Sequence, residues 1–167
     1  MDWVGVDEGM ARTIMMQGET YLKAQLDISL ASDRRAMTLA STFVTLATAV
    51  LGASVAYFTQ RGTGAVLVGG LITSAAMLAG AAIAFWAGRP INFYAPGSYP
   101  SMWWAGRREL LAEMLGGQSE NYQIQIEHNE QCLAANARAL ELGARLATIA
   151  PVLGFVAWCI SLYLSTL

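Results

Sequence analysis

An all-α integral membrane protein is the fold class that this sequence predicts, and three observations predict it. No charged residue lies between Arg35 and Arg61, between Arg61 and Arg89, or after Arg145. Each gap exceeds the roughly 20 residues with which a helix crosses about 30 Å of hydrocarbon. A soluble core helix would carry a charged face of helical period, and these stretches have none. Composition agrees: 55% of residues are hydrophobic and 13% charged, against about 25% charged in an average soluble domain.

With 167 residues the chain has room for one compact unit, taken here as a single membrane domain over residues 1–167. A net charge of −2 gives no electrostatic footprint for nucleic acid. Cys132 and Cys159 fit neither a disulfide framework nor a zinc spacing. The opening Met-Asp-Trp-Val-Gly-Val-Asp-Glu lacks a basic region followed by an apolar run, which predicts no cleavable signal. Residues 1–9 are acidic and expected to fray.

Residues 10–33 read as an amphipathic helix. Ile14, Met15, Leu22, Leu26 and Leu30 form an apolar stripe, with Arg12, Glu19, Lys23 and Asp27 mostly off it. Such a helix either packs on another helix in the cytosol or lies on the membrane surface. Its polar face mixes signs instead of being basic, which favours the first. Asp33-Arg34-Arg35-Ala36 marks the water boundary, and the first span follows over residues 37–58. Thr45, Thr48, Ala49, Gly52, Ala53 and Ala56 place small residues on one of its faces. Tyr57 and Phe58 close it with interfacial aromatics.

After the polar turn at 59–64 the second span covers residues 65–87. Ala76, Gly80, Ala84 and Gly88 recur at every fourth position, a pattern that lets helix backbones approach closely. This ridge serves either the hairpin itself or a seam with a second copy. Phe85 and Trp86 face the near interface. Arg89-Pro90 stops the helix, because proline disfavours helix in the residue before it. Residues 90–101 hold three of the four prolines and form a loop. Trp103 and Trp104, followed by Arg107 and Arg108, suit a short helix at the headgroups over residues 104–115, ended by Gly116-Gly117. The alternative is a Trp pair packed between cytosolic helices.

A long helix is expected over 119–145, with Tyr122, Ile126, Asn129, Leu133, Ala137, Leu140 and Ala144 in one stripe. Asn129 is its one polar member, of the kind that sets register or pairs across a symmetry axis. The helix runs without a break into a third span, residues 146–166, where Pro151 and Gly154 predict a kink. Lysine and arginine fall on one side of the spans except Arg61. The positive-inside rule then puts the N-terminus in the cytoplasm and the C-terminus outside.

No nucleophile–base pair, paired carboxylates in a cleft, metal-ligand set or phosphate loop appears, so no catalytic, cofactor or metal residues are assigned and no enzyme activity is expected. His128 is the only histidine and reads as a surface or interface residue. The spans lack the ionisable residues that transporters keep, which argues against transport by one chain.

Three segments together give the chain a likeness to a known family. Asp33-Arg34-Arg35-Ala36 leads an amphipathic helix into the first span. Arg89-Pro90-Ile91-Asn92-Phe93-Tyr94 follows the hairpin. The segment from Tyr122-Gln123-Ile124-Gln125-Ile126 through Ala137-Arg138-Ala139-Leu140 feeds the last span. In this it resembles the transmembrane module of Pycsar antiphage effectors and, more loosely, the SLATT membrane modules of bacterial conflict systems. The resemblance covers nearly the whole chain at the level of architecture. It implies a bacterial inner-membrane module that self-associates and perturbs the membrane on a nucleotide signal. The sequence carries no cyclic-nucleotide-binding domain, so sensing is expected to fall to a partner chain. The other expectation is a structural accessory subunit of a larger membrane complex. The expected partners are membrane lipids, further copies of the chain or such a complex.

Overall fold

The computed structural model describes residues 2–3, 5–89, 92–106 and 110–166. The fold is all-helical, with no strand among these residues. The helices are α1 (Glu8–Arg61), α2 (Gly64–Ala87), α3 (Pro100–Ala105) and α4 (Leu111–Ser165). Three of them, α1, α2 and α4, are long and apolar enough to cross a membrane.

The boundary expected near residues 33–37 is not a break, and residues 10–33 and 37–58 form one helix. Nothing in Ser32-Asp33-Arg34-Arg35-Ala36 stops a helix: it lacks proline and glycine, and arginine is a good helix former. Helix α1 starts two residues before position 10 because Asp7 caps it. The Asp7 carboxylate accepts from the amides of Gly9 (2.9 Å) and Met10 (3.3 Å). At its other end Gly62 turns the chain with φ +69°, a left-handed conformation natural to glycine.

Helix α2 begins one residue before the expected 65 and ends at 87 as expected, with Gly88 as its C-cap. The short helix expected at 104–115 lies elsewhere. Helix α3 ends at Ala105, and α4 begins at Leu111 and passes through Gly116-Gly117. A mid-helix glycine costs about 1 kcal/mol relative to alanine. Here that cost is offset by packing, since Leu115, Gln118 and Ser119 around the pair are buried.

The single domain expected from chain length divides into two compact units, to both of which α1 and α4 contribute. The first comprises Met1–Ala31 and Pro90–Ala134, the second Ser32–Arg89 and Ala135–Leu167.

In the first unit α1 packs alongside α4 in the same direction, with Gly18 against Tyr122 and Gln25 donating to the Ile126 carbonyl (3.3 Å). The buried face of α1 is Ala11, Leu22, Gln25 and Ser29, with Met15, Gly18 and Leu26 half-buried. Ile14 and Leu30, placed in the stripe by their hydrophobicity, are exposed. The face joins one large apolar side chain, Leu22, to small and polar residues. Of residues 1–9, expected to fray, residues 1 and 4 lie outside the described residues, and Trp3 is held: its indole covers Gly116, where a Cβ would overlap the ring, and its Nε1 donates to Glu120 (2.9 Å).

In the second unit α2 is the middle helix. Of its most apolar stretch 39% is buried, against 17% in each of α1 and α4, which places it between the other two. Ala47, Met77 and Ala150 meet at the centre with Ala76 against them.

Candidate functional site

Small residues build the second unit's helix contacts. On one side α2 meets α1: Ser74 Oγ donates to the Ala47 carbonyl (2.9 Å), a Cβ on Gly70 would overlap Ser54, and one on Gly88 would sit 2.9 Å from the Ala36 Cβ. On the other side α2 meets α4 in a glycine seam. A Cβ on Gly80 would lie 2.7 Å from the Gly143 carbonyl oxygen and 3.1 Å from the Ala147 Cβ. A Cβ on Gly69 would lie 2.9 Å from the Gly154 carbonyl oxygen. Ala84, fully buried, belongs to the same seam beside Gly143. Gly80, Ala84 and Gly88 are therefore used within the chain, and Ala76 packs on the core.

The α4 half of this seam went unread in the sequence, although its signal is plain. Gly143, Ala147, Ala150 and Gly154 follow at spacings of four, three and four, and all are buried. Gly154, expected to kink the helix with Pro151, admits Thr73 and the Gly69 backbone, and Pro151 lies inside α4.

Gly52 is placed differently. A Cβ there would meet nothing within 4 Å. Thr45, Thr48, Ala49, Ala53 and Ala56 are exposed with it, so among the described residues none covers the small-residue ridge of α1. Thr45 and Thr48 return their hydroxyl protons to the carbonyls four residues back, at 2.9 Å each.

The first unit is held by side-chain hydrogen bonds. Asn129 is fully buried and clasps the 92–99 loop: its Nδ2 donates to the Tyr94 carbonyl (3.0 Å) and its Oδ1 accepts from the Tyr94 amide (3.0 Å). Its amide thus has partners within the chain, where the sequence suggested register setting or pairing across a symmetry axis. Tyr122 accepts from the Gly97 amide (3.2 Å), and Gly97 takes φ +116°. His128 puts Nε2 3.2 Å from the Asn92 carbonyl oxygen and meets the Tyr94 ring edge-on at 5.1 Å. Glu130 accepts from the Tyr21 hydroxyl (3.1 Å), and the carboxylate pushes that phenol's pKa above its usual value.

The expected interface residues separate. Trp86 is exposed, with the Arg89 guanidinium 3.7 Å over its ring. Arg34 and Arg35 are exposed on α1. Trp103 is half-buried and donates to Ser98 Oγ (2.7 Å), whereas Trp104 is 70% exposed. Arg107 and Arg108 lie outside the described residues. Asp33 is partly desolvated, which raises its carboxyl pKa.

Comparison with protein-family models, with curated proteins and with solved structures finds no match to this chain.

Proposed function

We propose that the chain is a non-enzymatic module of the bacterial inner membrane, N-terminus cytoplasmic and C-terminus outside. In this reading α1, α2 and α4 span the bilayer. Copies associate through the α1 ridge to perturb the membrane, as an effector in an antiphage or signalling system. The observation that carries the reading is the asymmetry of the small-residue ridges: those of α2 and α4 close on each other, while Thr45, Ala49, Gly52 and Ala56 are exposed. Helices in lipid associate by close van der Waals contact, for which such a ridge is suited. The likeness in architecture to Pycsar and SLATT modules supports the effector role.

Crosslinking in native membranes tests the association. Gly52→Leu, whose Cβ has no described atom within 4 Å, should lower the oligomer fraction while the protein still inserts. A monomeric wild type, or crosslinking unchanged by Gly52→Leu, overturns self-association through this ridge. Induced expression with a membrane-potential dye tests the effector role, and unchanged potential and growth count against it.

A second reading, an accessory subunit of a larger membrane complex, is favoured by the exposed apolar surface around α3. Tyr99 is 81% exposed, Met102 63% and Leu110 69%. Co-purification with a stoichiometric complex in mild detergent would support it over the first.

A further inference from the structure

A groove of about 800 Å³ runs between α1 and α2 in the second unit. Met37, Ser41 and Val44 line one wall and Leu78, Phe85 and Trp86 the other. Its hydroxyl protons are spent on the helix itself: Ser41 donates to the Thr38 carbonyl and Thr45 to that of Ser41, each at 2.9 Å. The wall is therefore apolar along about 12 Å of α1, eight residues at 1.5 Å each.

Both walls run into arginine at the same end. On α1 the spacing 34, 37, 41, 44 puts Arg34 one turn beyond Met37 on the groove face. On α2 the spacing 78, 82, 85 continues to Arg89 just past the C-cap, and the Arg89 guanidinium lies over the Trp86 ring that closes the groove mouth. These ends are neighbours, since Gly88 approaches Ala36, Met37 and the Asp33 carbonyl. Asp33 is the nearby carboxylate, and among the described residues no ion pair joins it to Arg34, Arg35 or Arg89. Stacking on an indole occupies a guanidinium's face and leaves its edge N–H groups free to grip a phosphate in two places.

We propose that this groove is a binding site for one anionic phospholipid. An acyl chain lies between α1 and α2, and the headgroup phosphate is held by Arg89 and Arg34. The inference rests on the membrane reading above and adds to it a lipid class and a leaflet, the one that faces the arginines. The site asks for two things at once, a chain to fill the apolar groove and a net negative head to satisfy the cations. A zwitterionic lipid brings the same phosphate but sets a cation of its own beside the arginines, and a headgroup without acyl chains meets only the second.

Native mass spectrometry of the full-length protein released from detergent micelles reads this directly, with phosphatidylglycerol, phosphatidylcholine and deacylated glycerophosphoglycerol as probes. The wild type should retain phosphatidylglycerol over phosphatidylcholine by about tenfold, because the choline cation offsets the attraction between its own phosphate and the arginines. Arg34→Gln with Arg89→Gln should abolish the preference, with the larger loss in phosphatidylglycerol uptake. Ala82→Phe, which fills the groove from an exposed position, should lower uptake of both lipids. Glycerophosphoglycerol should not be retained. Equal uptake of the two lipids, a preference that survives the double substitution, or retention of the deacylated headgroup overturns the site. Alkaline carbonate washing of membranes separates the two failures. Protein that stays in the pellet but shows no preference sinks the lipid site alone, and protein that washes off sinks the membrane reading with it.

Discussion

Ala84 and Gln25 are both buried against α4, and the two burials have little in common. Ala84 sits in a seam where glycines bring backbone close to backbone, and almost no side chain extends into the contact. Gln25 sits in a seam of polar and aromatic side chains, with Ser29, Gln118, Ser119 and Asn129 buried around Leu22 and Tyr122. Both units use the same two helices, so the difference lies in the residues alone. In water, apolar groups gain by leaving solvent, and large side chains with bonded polar neighbours can close a seam. Between lipid-facing helices that drive is missing, and closeness of approach has to serve instead. The change from one packing style to the other along α1 and α4 is what a chain proposed to pass from water into a bilayer would need.

The contrast can be broken from the first unit. Leu22 is fully buried, and Leu22→Ala should destabilise that unit by about 2–5 kcal/mol. Segment-resolved hydrogen exchange should show faster exchange over residues 111–134 and little change over 64–87. Equal acceleration in both would mean that the units unfold as one and the contrast is only local.

From the second unit the matching change is Gly80→Leu. The new side chain collides with the Gly143 carbonyl and Ala147, and overpacking of this kind costs about 1–3 kcal/mol. Thermal unfolding in detergent should shift down for Gly80→Leu and stay put for Gly52→Leu. The same Tm for all three proteins would remove the glycine seam as the basis of the second unit.

Asn129→Asp sharpens the account of the first unit. An ionised carboxylate still accepts from the Tyr94 amide but repels the Tyr94 carbonyl, a loss of about 1–3 kcal/mol. Limited proteolysis should cut residues 92–99 faster at neutral pH, and acidification should restore protection as the carboxyl regains a proton to donate. Cleavage unchanged from wild type at neutral pH would show that the clasp does not hold the loop.

The smallest effect is expected at Asp33. Burial raises its pKa in the folded chain above the unfolded value, so the fold disfavours the charged form. The cost is fully present above the folded pKa and is relieved as pH falls through it. Asp33→Asn should therefore raise Tm slightly at neutral pH and flatten its rise on mild acidification. A lower Tm at neutral pH would mean that the carboxylate has a partner it needs.

Charge gaps made the helices legible because length and missing charge are global properties of a segment. The packing of 10–33 on the α4 stretch was legible too, as was small-residue contact on α2. The faces were read less well. Hydrophobicity ranked Ile14 and Leu30 above Gly18 and Gln25, but the contact with α4 rewards a gap that Tyr122 can enter and an amide that reaches Ile126. Gly116-Gly117 looked like a stop, because intrinsic propensity cannot foresee that Trp3 lies across Gly116. Asn129 announced itself as the odd residue in an apolar stripe, but its partner is backbone, and a main-chain partner leaves no mark in a sequence. Its two bonds involve no charged group, whereas the Tyr21 hydroxyl donates to the Glu130 carboxylate. A carboxamide has no proton to lose in the ordinary range and no net charge for counterions to screen. Flipping it would set like against like at Tyr94, so a single orientation is defined. The tether of residue 94 therefore has neither a proton to lose nor a charge to screen, and it holds by shape and bond direction alone.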